Sequence, residues 1–119
     1  MRIGVIGAGV MGSGIGQVLA TAGHEVLCTD LSTDALEKAR SLVTTGRYGL
    51  EAAVERGKLD REAADAALER LHWTADLEQA VGAADLVIEC VPEQLDVKIA
   101  TFRELDRLAP AHAVLASNS

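Results

Sequence analysis

The sequence is poor in cysteine, proline and aromatic residues: its 119 positions hold two Cys, two Pro, and one each of Trp, Tyr and Phe. Cys28 and Cys90 stand far apart in the chain, with no C-x-x-C and no Cys/His pair at metal-ligand spacing. That excludes a disulfide-stapled scaffold and a metal site, and both cysteines lie in apolar runs, as buried free thiols of a reducing compartment do. Three aromatics (Tyr48, Trp73 and Phe102) and a formal net charge of −7 provide neither the stacking platform nor the basic face of a nucleic-acid binder. No apolar stretch approaches the roughly 18 residues of a membrane span. Met1-Arg2 leads directly into a strand pattern rather than a signal peptide. The expectation is a soluble cytoplasmic protein with no nucleic-acid or membrane partner.

What is present is the balance of an ordinary globular domain, 49% hydrophobic and 24% charged residues. A chain of this length fits a single domain and removes roughly two-thirds of its unfolded surface from water on folding. Residues 1–119 are therefore read as one domain with one core.

Arg2-Ile3-Gly4-Val5-Ile6 is short, apolar and β-branched, the pattern of a strand covered on both faces in a parallel sheet. From Val10 the period changes. Ile15, Val18, Leu19 and Ala22 fall on one helical face, and Gly23 closes the helix. Glu25 to Thr29 forms a second strand ending at Asp30, so the first 30 residues spell a βαβ unit. Ser32 or Thr33 can cap a helical stretch carrying Leu36, Ala39, Leu42 and Val43. Gly46 and Gly49 interrupt the pattern, which resumes to Gly57, and Asp60 caps a further helical piece with Ala63, Ala64, Ala67, Leu68 and Leu71. This length between strands two and three implies a helical pair projecting from the sheet. His72-Trp73-Thr74, then Asp85 to Cys90, then Ala113 to Ala116 read as strands three, four and five, with helices from Asp76 to Val81 and over the stripe Leu95, Ile99, Phe102, Leu105 and Leu108. Alternating strands and helices, with right-handed crossovers, give an α/β fold: a Rossmann-type doubly wound parallel sheet of order 3-2-1-4-5 with a helical pair between strands two and three.

Gly7-Ala8-Gly9-Val10-Met11-Gly12 matches G-x-G-x-x-G between a strand and a helix. Gly7 permits the tight turn, Gly9 lets backbone approach a pyrophosphate, and Gly12 lets helix and strand pack closely. The phosphates then rest on unpaired N–H groups at the positive end of the helix. The same fingerprint serves FAD and S-adenosylmethionine sites. Asp30 ends strand two, where a carboxylate accepts both hydroxyls of the adenine ribose, which favours NAD over NADP. Leu31, the next residue, belongs to the same candidate site, and no Arg follows Asp30 to hold a 2′-phosphate. Strand four ends beside the topological switch point, so Cys90, Val91 and Pro92 face the nicotinamide half of the cofactor. Glu93 and Lys98 open the next helix, where Glu93 complements the dipole in a solvated helix start. Glu89 reads either as a carboxylate near the cofactor or as a polar strand end. His24, His72 and His112 read as surface or strand-edge residues, and Arg56, Lys58 and Arg61 as a solvated helix end in preference to a small basic spot for a ligand phosphate.

Taken together, GAGVMGSGIGQ, AGHEV with the following Asp30, GAADLVIECVPEQLDVK, FRELD and LASNS resemble the amino-terminal domain of the L-3-hydroxyacyl-CoA dehydrogenases, the group that includes 3-hydroxybutyryl-CoA dehydrogenase. The likeness runs along all 119 residues and covers less than half of a family chain. It implies that NAD is the cofactor and that Glu93 and Lys98 match residues holding the ribose and nicotinamide side. It also places Asn118 in a cofactor-side loop, where Ser119 replaces the usual Thr. The family's helical pair accounts for residues 32 to 70, although Gly46-Arg47-Tyr48-Gly49 departs from the family pattern there and no coenzyme A contact is carried over. The implied reaction belongs to fatty acid metabolism: reversible oxidation of an L-3-hydroxyacyl thioester, on coenzyme A or a carrier protein, to the 3-ketoacyl thioester with hydride passing to NAD. The family's catalytic His, its partner Glu, the active-site Asn and the helical domain that makes the homo-oligomer have no counterpart in these residues. The chain is therefore expected to bind NAD without turnover, with no catalytic residue of its own. Two rivals stand beside this reading: the β-hydroxyacid dehydrogenases, against which Asp30 and VIECVPE argue, and a stand-alone dinucleotide-binding or redox-sensing module.

Overall fold

The computed structural model describes residues 1–117, so Asn118 lies outside the described residues. The β-branched runs become five strands: β1 (Arg2–Ile6), β2 (Glu25–Thr29), β3 (Leu71–Thr74), β4 (Leu86–Glu89) and β5 (Val114–Ser117). They form one sheet of order β3-β2-β1-β4-β5, parallel throughout, as the alternation of elements implied. The order reverses between β1 and β4, where Val5 lies between Cys28 on one side and Ile88 on the other. A crevice at the carboxyl ends of these two strands is the ligand position that such a sheet dictates.

Helix α1 (Val10–Thr21) crosses from β1 to β2. Its inward face differs from the one read from the large apolar residues. Gly12, Ser13, Gly16 and Ala20 are buried, Ile15 and Leu19 are half-buried, and Val18 and Ala22 are exposed. The cause is the close approach of helix and sheet: a Cβ on Gly16 would lie 2.9 Å from the Cys28 Sγ. Hydrophobic periodicity marks large side chains, whereas tight α/β packing selects small ones.

Between β2 and β3 run α2 (Thr33–Thr44), the short α3 (Leu50–Glu55) and α4 (Arg61–Arg70). The two longer helices are the expected pair, with α3 as their link. Ser32 caps α2 by accepting the Ala35 N–H at 3.2 Å, and Asp60 caps α4 through the Ala63 N–H at 2.7 Å. Ala39, Val43, Leu50, Ala64 and Ala67 anchor the insertion, and all five are buried. Most of them join Ile3, Val5, Val26 and Cys28 in the core on the α1 side of the sheet. On the opposite face α5 (Leu77–Val81) and α6 (Leu95–Leu108) close a second core through Val81, Val87 and Leu105. Of the α6 stripe only Leu105 is buried, while Leu95 and Ile99 are exposed. Among the described residues no helix is long and apolar enough to cross a membrane.

Candidate nucleotide site

The turn after β1 is built by three glycines with three different reasons. Gly7 has φ +102°, and a Cβ there would stand 2.7 Å from the Cys90 carbonyl oxygen, so both backbone sign and space require glycine. A Cβ on Gly12 would run into the Gly7 carbonyl oxygen and lie 3.6 Å from the Cys90 Cβ. Gly9 is different. A Cβ there would meet nothing within 4 Å, so the fold itself does not require glycine at this position. Gly9 is also the N-cap of α1, without a side-chain cap, and the first helical bond runs from the Ser13 N–H to the Gly9 carbonyl at 2.9 Å. The amides of Gly9, Val10, Met11 and Gly12 therefore have no helical partners at the positive end of the helix, and the space beside Gly9 is open. This is an anion cradle, and it fits a pyrophosphate.

Asp30 follows the last residue of β2, as expected. Its Oδ2 accepts the Ala8 N–H at 3.0 Å and its Oδ1 accepts the Ser32 N–H at 3.0 Å, so one carboxylate ties the glycine turn to the start of α2. Each oxygen retains acceptor capacity for a ribose hydroxyl. Leu31 beside it is exposed.

At the other side of the crevice, β4 ends on Glu89, which is fully buried. The carboxylate accepts the Val91 N–H at 2.6 Å, the Ser117 hydroxyl at 2.8 Å and the Lys98 ammonium at 2.9 Å. Lys98 also pairs with Glu93 at 3.2 Å and donates to the Ser117 Oγ at 3.4 Å. Burial pushes the Glu89 carboxyl upward, but the Lys98, Ser117 and Val91 donors outweigh it and hold the group below the usual carboxylate range. The hydrogen bond to Glu89 raises Lys98 above its ordinary value. Glu89 is the polar end of β4, as one of its two readings had it, and its side chain is the centre of a buried network. The signal available was a charged residue inside an apolar strand, nine positions before a lysine on the next helix. Ser117 belongs to the LASNS segment singled out above, but nothing local tied it to Glu89.

Cys90 lies against the glycine turn, half-buried, with its N–H bonded to the Ile6 carbonyl at 2.7 Å, and burial raises its thiol. Val91 is half-buried and Pro92 and Glu93 are exposed, in the segment leading to α6. The sheet thus brings Gly7 and Gly12 against Cys90, Ala8 against Asp30, and Lys98 between Glu89 and Glu93.

Two histidines lie at the opposite, amino-terminal edge of the sheet. His72 pairs with Glu25 at 3.2 Å and His112 with Asp85 at 2.9 Å, all with exposed side chains. A cleft of about 400 Å³ opens at that edge, lined in part by Arg2, Glu25, His72 and Gln79. It contains none of the glycine turn, Asp30 or Glu89.

Parallel sheet, glycine turn, open helix amides and a carboxylate ending β2 define a Rossmann-type dinucleotide-binding domain. Residues 2–119 match the family described as "3-hydroxyacyl-CoA dehydrogenase, NAD binding domain", and the chain belongs to that family of NAD-binding domains. It is 41% identical over 117 residues to 3-hydroxyadipyl-CoA dehydrogenase of Escherichia coli K12, covering 98% of this chain and 24% of that protein. It is 45% identical over 123 residues to 3-hydroxybutyryl-CoA dehydrogenase of Mycobacterium tuberculosis, covering 99% of this chain and 40% of that protein. The crystal structure of 3-hydroxybutyryl-CoA dehydrogenase from E. coli K12 superposes with a TM-score of 0.93 at 40% identity, over 100% of this chain and 24% of that one. The chain thus spans a quarter to two-fifths of the length of these relatives.

Proposed function

We propose that this chain is the cofactor-holding part of an enzyme that oxidises L-3-hydroxyacyl thioesters to 3-ketoacyl thioesters. In this reading the turn Gly7, Ala8, Gly9, Val10, Met11 and Gly12 holds the pyrophosphate on the amides of Gly9 to Gly12, while the Gly7 and Ala8 amides bond the Thr29 carbonyl and Asp30 and shape the turn. Asp30, with Leu31 beside it, holds the adenine ribose. Cys90, Val91, Pro92, Glu93, Lys98 and Asn118 line the nicotinamide side. Bound NAD supplies the acceptor for the hydride. The chain's own residues bind and orient it, with Lys98 kept charged and fixed by Glu89. A further substrate domain supplies the proton acceptor and the homo-oligomer contacts, this chain spanning only 24% and 40% of two of its relatives, and the complete enzyme works in the cytoplasm on a coenzyme A or carrier-protein thioester.

The observation that carries the reading is the space at Gly9: an uncapped helix start, open where a phosphate belongs, between two glycines that the backbone requires. Calorimetric titration of the 119-residue chain tests it. One NAD is expected to bind per chain, more tightly than NADP. Absence of NAD binding overturns the proposal.

A further inference from the structure

Among the described residues Glu89 is the only charged side chain that is fully buried. A buried ion pair seldom stabilises a fold more than apolar residues of the same volume would, so packing alone does not account for a carboxylate there. Its surroundings point to another role. Lys98 Nζ sits 2.9 Å from it with a 15% exposed side chain, at the edge of the crevice beyond β4. Asp30 fixes the adenosine end of a bound dinucleotide on the β2 side of β1, so the nicotinamide end lies on the β4 side, toward this pair.

We propose that Glu89 is a positioning residue that holds Lys98 and offsets its charge at the nicotinamide end, so that the site accommodates the oxidised, cationic ring. The inference rests on the NAD-binding reading above. The oxidised ring carries one positive charge that the reduced ring lacks, and the rest of the dinucleotide is the same in both. An uncompensated ammonium at this edge therefore opposes the oxidised form selectively, and a carboxylate favours it. Glu93 also pairs with Lys98, but its side chain is 69% exposed and water screens it, whereas that of Glu89 is 0% exposed. The buried partner accordingly sets the balance. The donors around Glu89 keep it ionised, and Glu89 in turn keeps Lys98 protonated.

The test is the ratio of dissociation constants for NAD⁺ and NADH, measured on the 119-residue chain. A direct contact from Lys98 to shared parts of the cofactor changes both constants alike and cancels in the ratio. Glu89→Gln preserves side-chain volume and removes the charge; it is expected to raise the NAD⁺/NADH ratio by roughly three- to tenfold. Glu89→Asp retains the charge and is expected to leave the ratio within about twofold of the parent. If Glu89→Gln does not fold, Lys98→Met carries the test, and its ratio must move in the opposite direction. A ratio unchanged in a folded Glu89→Gln protein or in Lys98→Met, including the case where both forms weaken equally, means a purely structural role and overturns the proposal. A parent chain that binds neither form removes the NAD reading itself, and this inference with it.

Discussion

The Ala8 N–H is bonded to the Asp30 carboxylate at 3.0 Å, so the residue that ends β2 also holds the glycine turn that ends β1. Asp30→Ala therefore has two expected effects. Loss of the acceptors for the ribose hydroxyls weakens NAD binding by about tenfold or more, each decade being about 1.4 kcal/mol, and narrows the discrimination against NADP. Loss of the partner for Ala8 and Ser32 lowers the stability of the ligand-free chain by on the order of 1 kcal/mol. Calorimetry with both cofactors measures the first and denaturant unfolding the second. An unchanged NAD affinity removes Asp30 from the site.

The three glycines of the turn should separate into ligand and fold. Gly9→Ala places a methyl group in open space where the pyrophosphate belongs, so NAD binding should disappear while the ligand-free melting temperature shifts by no more than about 2 °C. Gly12→Ala drives a methyl group into the Gly7 carbonyl oxygen, so it should destabilise the chain with or without ligand. Thermal melts with and without NAD distinguish the two. A Gly9→Ala chain that unfolds, or that still binds NAD, refutes the assignment of Gly9 to the phosphate.

These glycines were legible because each reason is local. A turn, a helix start and a strand end lie within a dozen residues, and G-x-G-x-x-G states the geometry directly. The strand order was legible too, since alternating elements with right-handed crossovers leave few arrangements. The inner face of α1 was not, because Gly12, Ser13, Gly16 and Ala20 carry almost no hydrophobic signal, and Cys28 beneath Gly16 becomes visible only when the sheet is assembled. Glu89 was undecidable for the same reason. Its partners Lys98 and Ser117 come from a later helix and a later strand, and chain separation hides a network that parallel pairing of β4 with β5 creates.

The Asp85 carboxylate should leave a signature in acid. It accepts the Arg2 N–H at 2.9 Å and faces His112 at 2.9 Å, and these partners, the Arg2 N–H first, hold it below the ordinary carboxylate range. A carboxyl depressed in the folded state stabilises above its unfolded value, near pH 4, and loses that contribution as pH falls through the folded value. Asp85→Asn should therefore melt below the parent at about pH 5, with the margin closing below about pH 4. Melting curves over this range check it. A margin independent of pH assigns the effect to packing rather than to charge.

The two cysteines should report on the site without any mutation. The thiolate is the species that reacts with disulfide reagents, so reactivity follows both exposure and thiol pKa. Cys28 is fully buried against α1, and burial, with a smaller effect of Cys90, pushes its thiol up to about 12. At pH 8 only about one molecule in ten thousand would carry the thiolate there, behind a packed helix. Cys90 is also raised by burial and by Glu89, but it is half-buried and lies at the mouth of the crevice beside Gly7 and Gly12. The native chain should thus react slowly at one thiol, Cys90, and release the second only on unfolding. Because NAD fills the crevice in the proposed mode, saturating cofactor should slow Cys90 modification while leaving Cys28 silent. Mass spectrometry of labelled peptides, with and without NAD, assigns each site. Equal labelling of both thiols in the folded chain would contradict the packing of Cys28, and a Cys90 rate indifferent to NAD would place the nicotinamide half away from β4.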